Sequence, residues 1–422
     1  MNQSGALEIE TSVVGENTAY GKIIQTVERA ERLRAPIQKT ADRLAGYLVY
    51  FGIFSAVLTY LVTRDIPATI SVIIVMGACG VAAGTPLAIL GAIGLAARRG
   101  SIVKGGIHLE TLGRLDMVVL DKTGTLTLGN PEVVSITPLD DASEIEILMA
   151  AATAEVFSEH PLAKAIVKKA ADYGVTVQKP DHFNYLPGKG IICSIQGAEI
   201  LAGNRSLIIE RSIPIERLAK AAEHLSEVVI ARDRKVLGSI QIADILRLEA
   251  TEAVSRMREM GLRVALLTGD QSSIANAVAK QLGVDEVASE LLPEQKLTWI
   301  KSRIEAGKRV AMVGDGVNDT PALMQASVGI AMGSGTDVAR ESADVILLGN
   351  DLLKFVETLK IAKRCHGIIM ANFTGTILVD GIGIILAATG FLNPIIAALI
   401  HVCSELLFIL NSARLLPAIS KK

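Results

Sequence analysis

Apolar positions along this chain fall into two patterns: long unbroken runs toward its two ends, and short runs spaced through its middle. From about Leu44 to Val62 the residues are apolar apart from one serine and one threonine, long enough to cross a hydrocarbon core about 30 Å thick. Arg64 and Asp65 then mark a short external turn, and no charged residue occurs from Ile66 to Ala97. That second run exceeds one straight span and is interrupted by Gly77, Gly80, Gly84 and Pro86. The punctuation predicts a broken helix, which a bilayer tolerates only where the freed backbone lines a protein cavity. A third run extends from about Gly367 to Leu392 and a fourth from about Pro394 to Ala413, so the runs pair as two transmembrane hairpins.

The middle, about 100 to 360, reads differently. Met117-Val118-Val119-Leu120, Val264-Ala265-Leu266-Leu267 and Val310-Ala311-Met312-Val313 are short continuous apolar runs. Such runs bounded by turns predict strands buried on both faces of a parallel sheet. Each ends in polar chemistry: Asp121 in the run Asp-Lys-Thr-Gly-Thr-Leu-Thr, then Thr268-Gly269-Asp270, then Asp315 with Asn318 and Asp319. Ligands bind at the carboxyl ends of such strands, so these ends are expected to meet at one crevice. A carboxylate there can attack a phosphoryl group and hold it as an acyl phosphate. Lys122, the Thr123 and Thr125 hydroxyls and the turn amides can stabilise the charge. Acids clustered beside a transferring phosphate call for magnesium, with Asp121, Asp315, Asp319 and the Thr123 carbonyl as oxygen ligands. An isolated Asp-Lys is more often a plain strand-end turn; the whole run is what favours chemistry.

Composition narrows the class. Half of the 422 residues are hydrophobic, only 4% are aromatic, and mean hydropathy is +0.42, as for a membrane protein. A net charge of −2 gives a nucleic-acid partner no electrostatic support. Cys79, Cys193, Cys365 and Cys403 lie far apart, which argues against a disulfide framework or a zinc knuckle. The amino terminus lacks the basic and apolar regions of a signal peptide, so insertion is expected to rely on the internal segments. Arg29, Arg32, Arg34, Lys39 and Arg43 precede the first hairpin and Arg98, Arg99 and Lys104 follow it; Lys363 and Arg364 precede the second, and Arg414, Lys421 and Lys422 follow it. The positive-inside rule makes these ends, and the head between them, cytoplasmic.

Polar groups inside the apolar runs are costly and mark candidate sites. Asp380 lies midway along the third run, His401 and Glu405 lie on one face of the fourth, and Cys79 sits beside the glycine-broken part of the second. Two carboxylates, an imidazole and a thiolate suit a divalent transition metal such as zinc, whereas thiolates alone would suit monovalent copper. Each also has a packing alternative, strongest for Cys79, a small apolar filler.

The run at 121–127 resembles the phosphorylation signature of P-type ATPases, and Ser158-Glu159-His160-Pro161-Leu162 resembles the marker of the heavy-metal-transporting subfamily. The resemblance implies a fold of α-helical membrane hairpins plus an α/β cytoplasmic head, in which a HAD-like doubly wound phosphorylation domain carries an inserted α+β nucleotide-binding domain. It divides the chain as 1–43, a remnant of the actuator domain and linker; 44–99, hairpin one; 100–130 and 239–359, the phosphorylation domain; 131–238, the nucleotide-binding domain; and 360–422, hairpin two. It implies that Glu155 and His160 face the adenine of ATP, that Gly188 and Gly190 allow close backbone approach, and that Gly203 and Asn204 complete the nucleotide site. Lys296, in Pro-Glu-Gln-Lys, would bring positive charge to the phosphoryl group, and Asp244 and Arg247, in Ala-Asp-Ile-Leu-Arg, resemble a hinge motif that also contacts nucleotide. Counting back from Thr85-Pro86 puts the family's Cys-Pro-Cys on Gly77-Ala78-Cys79, where one cysteine remains and the proline is gone. His401 matches a last-segment histidine of some divalent-metal subgroups, and Asn411 with Arg414 match that segment's usual ending.

The expected function is ATP-driven transport of a divalent, zinc-like heavy-metal cation across a bacterial or archaeal plasma membrane through phospho-Asp121, with ATP and magnesium as cofactors. Residues 1–43 resemble the stretch that follows the family's Thr-Gly-Glu actuator loop, and the loop itself is absent. The chain is therefore expected to phosphorylate but to turn over poorly without a separately encoded amino-terminal actuator half. Two alternatives stand beside this: a non-pumping remnant or ATP-binding subunit, and a soluble-type aspartate-nucleophile phosphatase. Such phosphatases carry a second Asp two residues after the nucleophile, where this chain has Thr123.

Overall fold

The computed structural model describes residues 35–416 except Ala78, Glu159, Pro187, 220–224, Val317 and Asn318, and except the side chains of Cys79 and Pro161. The readings of Asn318 and of residues 1–34 therefore lie outside the described residues. The chain divides into two compact units, one holding Val119–Lys296 and the other holding the described residues on either side of that segment.

In the flanking unit, Pro36–Thr63, Ile66–Arg98, Leu352–Ala388 and Pro394–Ala413 are long and apolar enough to cross a membrane. The second is broken as its glycines predict: Ile66–Val75 ends in an extended Met76 (φ −75°, ψ 114°), Gly77 follows, and Cys79–Arg98 resumes the helix. The third runs 37 residues, beginning well before its apolar stretch. Leu352, Phe355, Val356, Leu359 and Ala362 bury one stripe at helical spacing while Lys360 and Arg364 stay exposed, so an amphipathic entry joins the apolar span. Turns are capped by local polar groups: the Asp65 carboxylate accepts from the Ala68 amide at 3.1 Å, and the Asn393 side chain from Ile396 at 2.8 Å.

Hydrophobic burial distinguishes helices less in lipid than in water, so small residues and polar contacts fix this packing. A methyl on Gly375 would lie 2.6 Å from the Phe408 ring, and one on Gly84 would lie 3.1 Å from Ser412 Oγ. Asn372 Nδ2 donates to Ser412 Oγ (2.9 Å) and Phe408 O (3.2 Å), and Asn411 Nδ2 donates to Asn372 Oδ1 (2.8 Å). Outside this seam, Phe51, Phe54 and Leu61 of the first helix and Leu399, Leu406 and Leu410 of the last are exposed, as lipid-facing side chains are.

The same unit contains a buried sheet portion. Val310–Gly314, Val328–Ala331 and Val345–Leu347 run parallel in that order, and Ser101–Val103 pairs antiparallel with the last. All five residues of Val310–Gly314 are buried, as its continuous apolar run requires.

The central unit, Val119–Lys296, is built around a six-stranded antiparallel sheet with strand order Thr127–Pro138, Lys235–Leu246, Ser226–Arg232, Ala198–Gly203, Gly190–Ile195 and His182–Leu186. Period-2 alternation feeds two cores. Ile191, Cys193, Ile200, Ala202, Val228 and Ile230 pack against Ile147, Leu148, Ala151 and Ile166, from helices Glu144–Glu155 and Pro161–Asp172. Their neighbours Ile192, Leu201, Val229 and Ala231 point the other way, onto Leu207 and Ile208 of helix Arg205–Glu210. The parallel pair Arg263–Leu267 and Glu286–Ala288 also belongs to this unit.

Asn372→Ala removes a side chain that makes three interhelical hydrogen bonds. It is expected to lower unfolding stability of the detergent-solubilised chain by about 1 kcal/mol. A thermal midpoint equal to wild type would remove the Asn372 cluster from the list of helix-pairing interactions.

Candidate functional site

Asp121 closes the fully buried strand Met117–Asp121 and is itself only 4% exposed. A buried carboxylate needs a counter-charge, and Lys296, from helix Pro293–Glu305, supplies it: Nζ lies 2.5 Å from Asp121 Oδ1. Lys122 turns to a different acid and pairs with Asp270. The two lysines and two aspartates are thus brought together as two ion pairs. Thr268, at the end of Arg263–Leu267, accepts the Asp270 amide on Oγ1 at 3.1 Å, and its own amide donates to Ala288 O at 3.0 Å. Gly269 has Leu291 O at 3.3 Å from where a Cβ would be.

The loop behind Asp121 is held from outside. Gly124 adopts φ 72°, which only glycine takes without strain. Arg247 Nε donates to Thr125 O (2.9 Å) and Nη2 to Gly124 O (3.0 Å). Asp244 Oδ2 lies 2.5 Å from the Thr127 hydroxyl, which accepts the Gly124 amide, and Oδ1 accepts from the Gly129 amide at 3.1 Å. Burial raises the Asp244 carboxyl above its usual range, partly offset by the Thr127 hydrogen bond. Asp244 and Arg247, read from the sequence as hinge residues, are both engaged with the loop behind Asp121, because the antiparallel pairing of Thr127 with Leu246 brings their strand alongside it. The Thr123 side chain is exposed, while the Thr125 hydroxyl is fully buried with no hydrogen-bond partner among the described residues.

Asp315 and Asp319 follow Val310–Gly314 in the flanking unit. Gly314 allows the Asp319 carboxylate to fold back over the strand end, with 3.2 Å between Oδ2 and the place of a Cβ. Gly316 (φ 81°) is obligatory, since a Cβ there would overlap the Ala339 side chain. The donors read for magnesium, carboxylates and one backbone carbonyl, are all hard oxygens of the kind that cation takes.

Glu155, Ser158, His160, Gly188, Gly190 and Asn204 line one cavity of about 230 Å³ in the central unit. Burial pushes the Glu155 carboxyl up to about 7, against a hydrogen bond from Ser158 that lowers it. His160 caps helix Pro161–Asp172, its Nδ1 accepting the Leu162 amide at 3.2 Å. Asn204 ties the glycine turn down: its Nδ2 donates to Gly188 O (3.0 Å) and its amide to Lys189 O (2.9 Å). A Cβ on Gly190 would meet Ala202 O at 2.3 Å, and one on Gly203 would meet Lys189 O at 2.4 Å. Strand packing requires glycine at both positions, and both also line the cavity; Gly188 (φ 73°) has open space around it. A second cavity of about 640 Å³ shares Asn204 and Glu227 with the first and reaches Gly269 and Asp270. Arg205, on its wall, is paired with Glu227 at 2.6 Å. Sequence reading passed over Arg205 and Glu227; Arg205 directly follows Gly203-Asn204, but Glu227 carries no local signal because only sheet pairing brings it there.

In the membrane segment, Gly77, Asp380, His401 and Glu405 come together. The Gly77 amide donates to Asp380 Oδ1 at 3.4 Å, and His401 Nε2 lies 3.5 Å from Glu405 Oε2. Among the described residues, no three His, Cys, Asp or Glu side chains form a ready-made metal cage. The Cys79 side chain is outside that description.

Residues 115–327 match the family model for haloacid dehalogenase-like hydrolases, the class that an aspartate at this strand end defines. The chain is 37% identical to the manganese-exporting P-type ATPase of Mycobacterium leprae and to the zinc-exporting P-type ATPase of Mycobacterium marinum, in each case over 96% of its length. It is also 37% identical, over 98% of its length, to a probable copper-importing P-type ATPase A of Enterococcus hirae. It spans 57%, 56% and 58% of those relatives respectively. A crystal structure of a zinc-transporting PIB-type ATPase in the E2.Pi state is similar with TM-score 0.74 and 34% identity, covering 94% of this chain and 67% of that one. The catalytic domain of the CPx-ATPase CopB-B is similar over 63% of this chain and 97% of its own, with TM-score 0.52 and 30% identity. The chain belongs to the heavy-metal-transporting P-type ATPases, a membrane branch of the haloacid dehalogenase-like hydrolases.

Because the Glu155 carboxyl titrates near 7 in the folded chain and near 4.5 when unfolded, the folded state binds the extra proton between these values. Stability therefore falls as pH rises through that window and the cost is complete above it. Glu155→Gln is expected to match wild type near pH 4 and to exceed it above pH 7, by about 3 kcal/mol at most. Denaturant unfolding across the range checks this; a pH-independent difference would refute it.

Proposed function

We propose that this chain uses ATP to move a divalent heavy-metal cation across a membrane, through a phosphoryl group carried on Asp121. The observation that carries the reading is the Asp121–Lys296 pair at the tip of a buried strand, 2.5 Å apart, beside a glycine turn fixed by Arg247 and Asp244. An ionised Asp121 Oδ attacks the γ-phosphorus of ATP, the bond to the bridging oxygen breaks, and ADP leaves with that electron pair. Lys296 holds the carboxylate in position, and it offsets negative charge as the phosphoryl group arrives. The Thr125 hydroxyl, buried and without a hydrogen-bond partner among the described residues, is a donor available to a phosphoryl oxygen. Asp121 and the Thr123 carbonyl would hold magnesium, which neutralises phosphate charge when bound.

Nucleotide is assigned to the Glu155–His160–Gly188–Asn204 cavity. A neutral Glu155 can both donate and accept there, which suits the amine and ring nitrogen of adenine. The cavity sharing Asn204 and Glu227 supports a polyphosphate path toward Asp270. The named relatives export or import manganese, zinc or copper, so cargo is argued from the donors instead. Asp380, His401 and Glu405 offer oxygen and nitrogen, the donors of a divalent ion.

With labelled ATP, the wild-type chain is expected to form an acid-stable, hydroxylamine-sensitive phosphate. Asp121→Asn should abolish it and Lys296→Met should slow it by about 10²–10³. Label retained by the Asp121 variant would defeat the assignment. ATP turnover measured across zinc, cadmium, cobalt, manganese and copper should respond to divalent ions, and Asp380→Ala should remove the response; unchanged metal dependence in that variant would take Asp380 out of the site.

A further inference from the structure

Gly77 is the residue on which the polar groups of the membrane segment converge. It lies in the break between Ile66–Val75 and Cys79–Arg98, with its amide on Asp380 Oδ1. A Cβ at this position would lie 2.6 Å from both Cε1 and Nδ1 of His401 and 3.1 Å from Glu405 Oε1. The two to His401 are shorter than real carbon contacts and the one to Glu405 is tight, so a side chain at residue 77 would require the imidazole to shift. Asp380 is 4% exposed, and its Oδ2, like His401 Nδ1, has no hydrogen-bond partner among the described residues. Buried polar atoms left without a partner are costly, and a bound cation satisfies a lone pair on each.

We propose that Gly77 is a specificity-determining position of the ion site: the missing side chain lets His401 and Glu405 close on the helix break alongside Asp380, making a nitrogen-and-oxygen ligand group that takes a divalent cation over monovalent copper. This rests on the ion-site reading above and adds the reason for its donor set. A side chain at 77 takes the volume of the imidazole and moves it away. The collision falls on the ends of two side chains and on no backbone atom within the three nearest contacts, so such a variant displaces ligands without opening the helix packing. A cysteine at 77 both displaces the imidazole and adds a thiolate, which favours the softer monovalent ion.

The test is equilibrium competition binding of Zn²⁺ and Cu⁺ to the full chain in lipid nanodiscs, for wild type, Gly77→Ala, Gly77→Cys and Gly367→Ala. A Cβ on Gly367 meets nothing within 4 Å, so that variant controls for a methyl added to a membrane helix. Binding of a fluorescent ATP analogue reports that each variant is folded. Gly77→Ala is expected to weaken Zn²⁺ binding about tenfold or more, Gly77→Cys to lower the zinc-to-copper affinity ratio by about the same factor, and Gly367→Ala to change neither. Wild-type zinc affinity in Gly77→Ala, or an unchanged ratio in Gly77→Cys, overturns this inference alone. A wild-type chain that binds neither ion, or prefers Cu⁺, overturns the ion-site reading and this inference with it.

Discussion

Much of the chemistry rests on keeping a negative charge inside protein. Asp121 sits at the end of a strand whose every residue is buried, where an unpaired carboxylate would cost several kcal/mol. The Lys296 ammonium, delivered from a separate helix, meets that cost and sets the orientation of the carboxylate. A lysine serves this better than a hydrogen-bonding neutral group, because its full positive charge offsets the carboxylate's negative charge where water is excluded. Lys122, next in sequence, cannot do the same work while it is paired with Asp270.

The loop behind Asp121 shows how a polar turn is held without a core of its own. Gly124 and Gly129 take left-handed conformations and pass within 3.2 Å of each other as measured from the place of the Gly129 Cβ, leaving no side chain to pack. Hydrogen bonds from Arg247 and to Asp244 fix the carbonyls and amides instead. The same economy appears in the cavity lined by Glu155 and His160, where Gly190 and Gly203 bring two strands into backbone contact and Asn204 locks the turn at Gly188. Rigid backbone around a small cavity is what a site for a charged ligand requires.

In the membrane the constraint changes sign. Apolar burial gives little discrimination between helices in lipid, so the break at Gly77 and the polar seam at Asn372 and Asn411 carry the specificity of the arrangement. A helix broken inside a bilayer exposes amides and carbonyls that must find partners, and Asp380 takes one of them. Glycine at the break thus serves two ends, releasing the backbone and leaving room for His401.

The sequence by itself determined the strand ending in Asp121, the membrane runs, the break in the second of them, and the polar residues worth asking about, because each is written in local spacing of apolar and polar positions. Tertiary structure decided the partnerships: that Lys296 and not Lys122 faces Asp121, that Asp244 and Arg247 hold a loop, that Gly190 is demanded by Ala202, and that Glu227 lines the same cavity as Glu155. Those pairings join residues remote in sequence through sheet register and helix placement, and no local pattern records which of several equivalent charges or glycines the fold will bring to a given point.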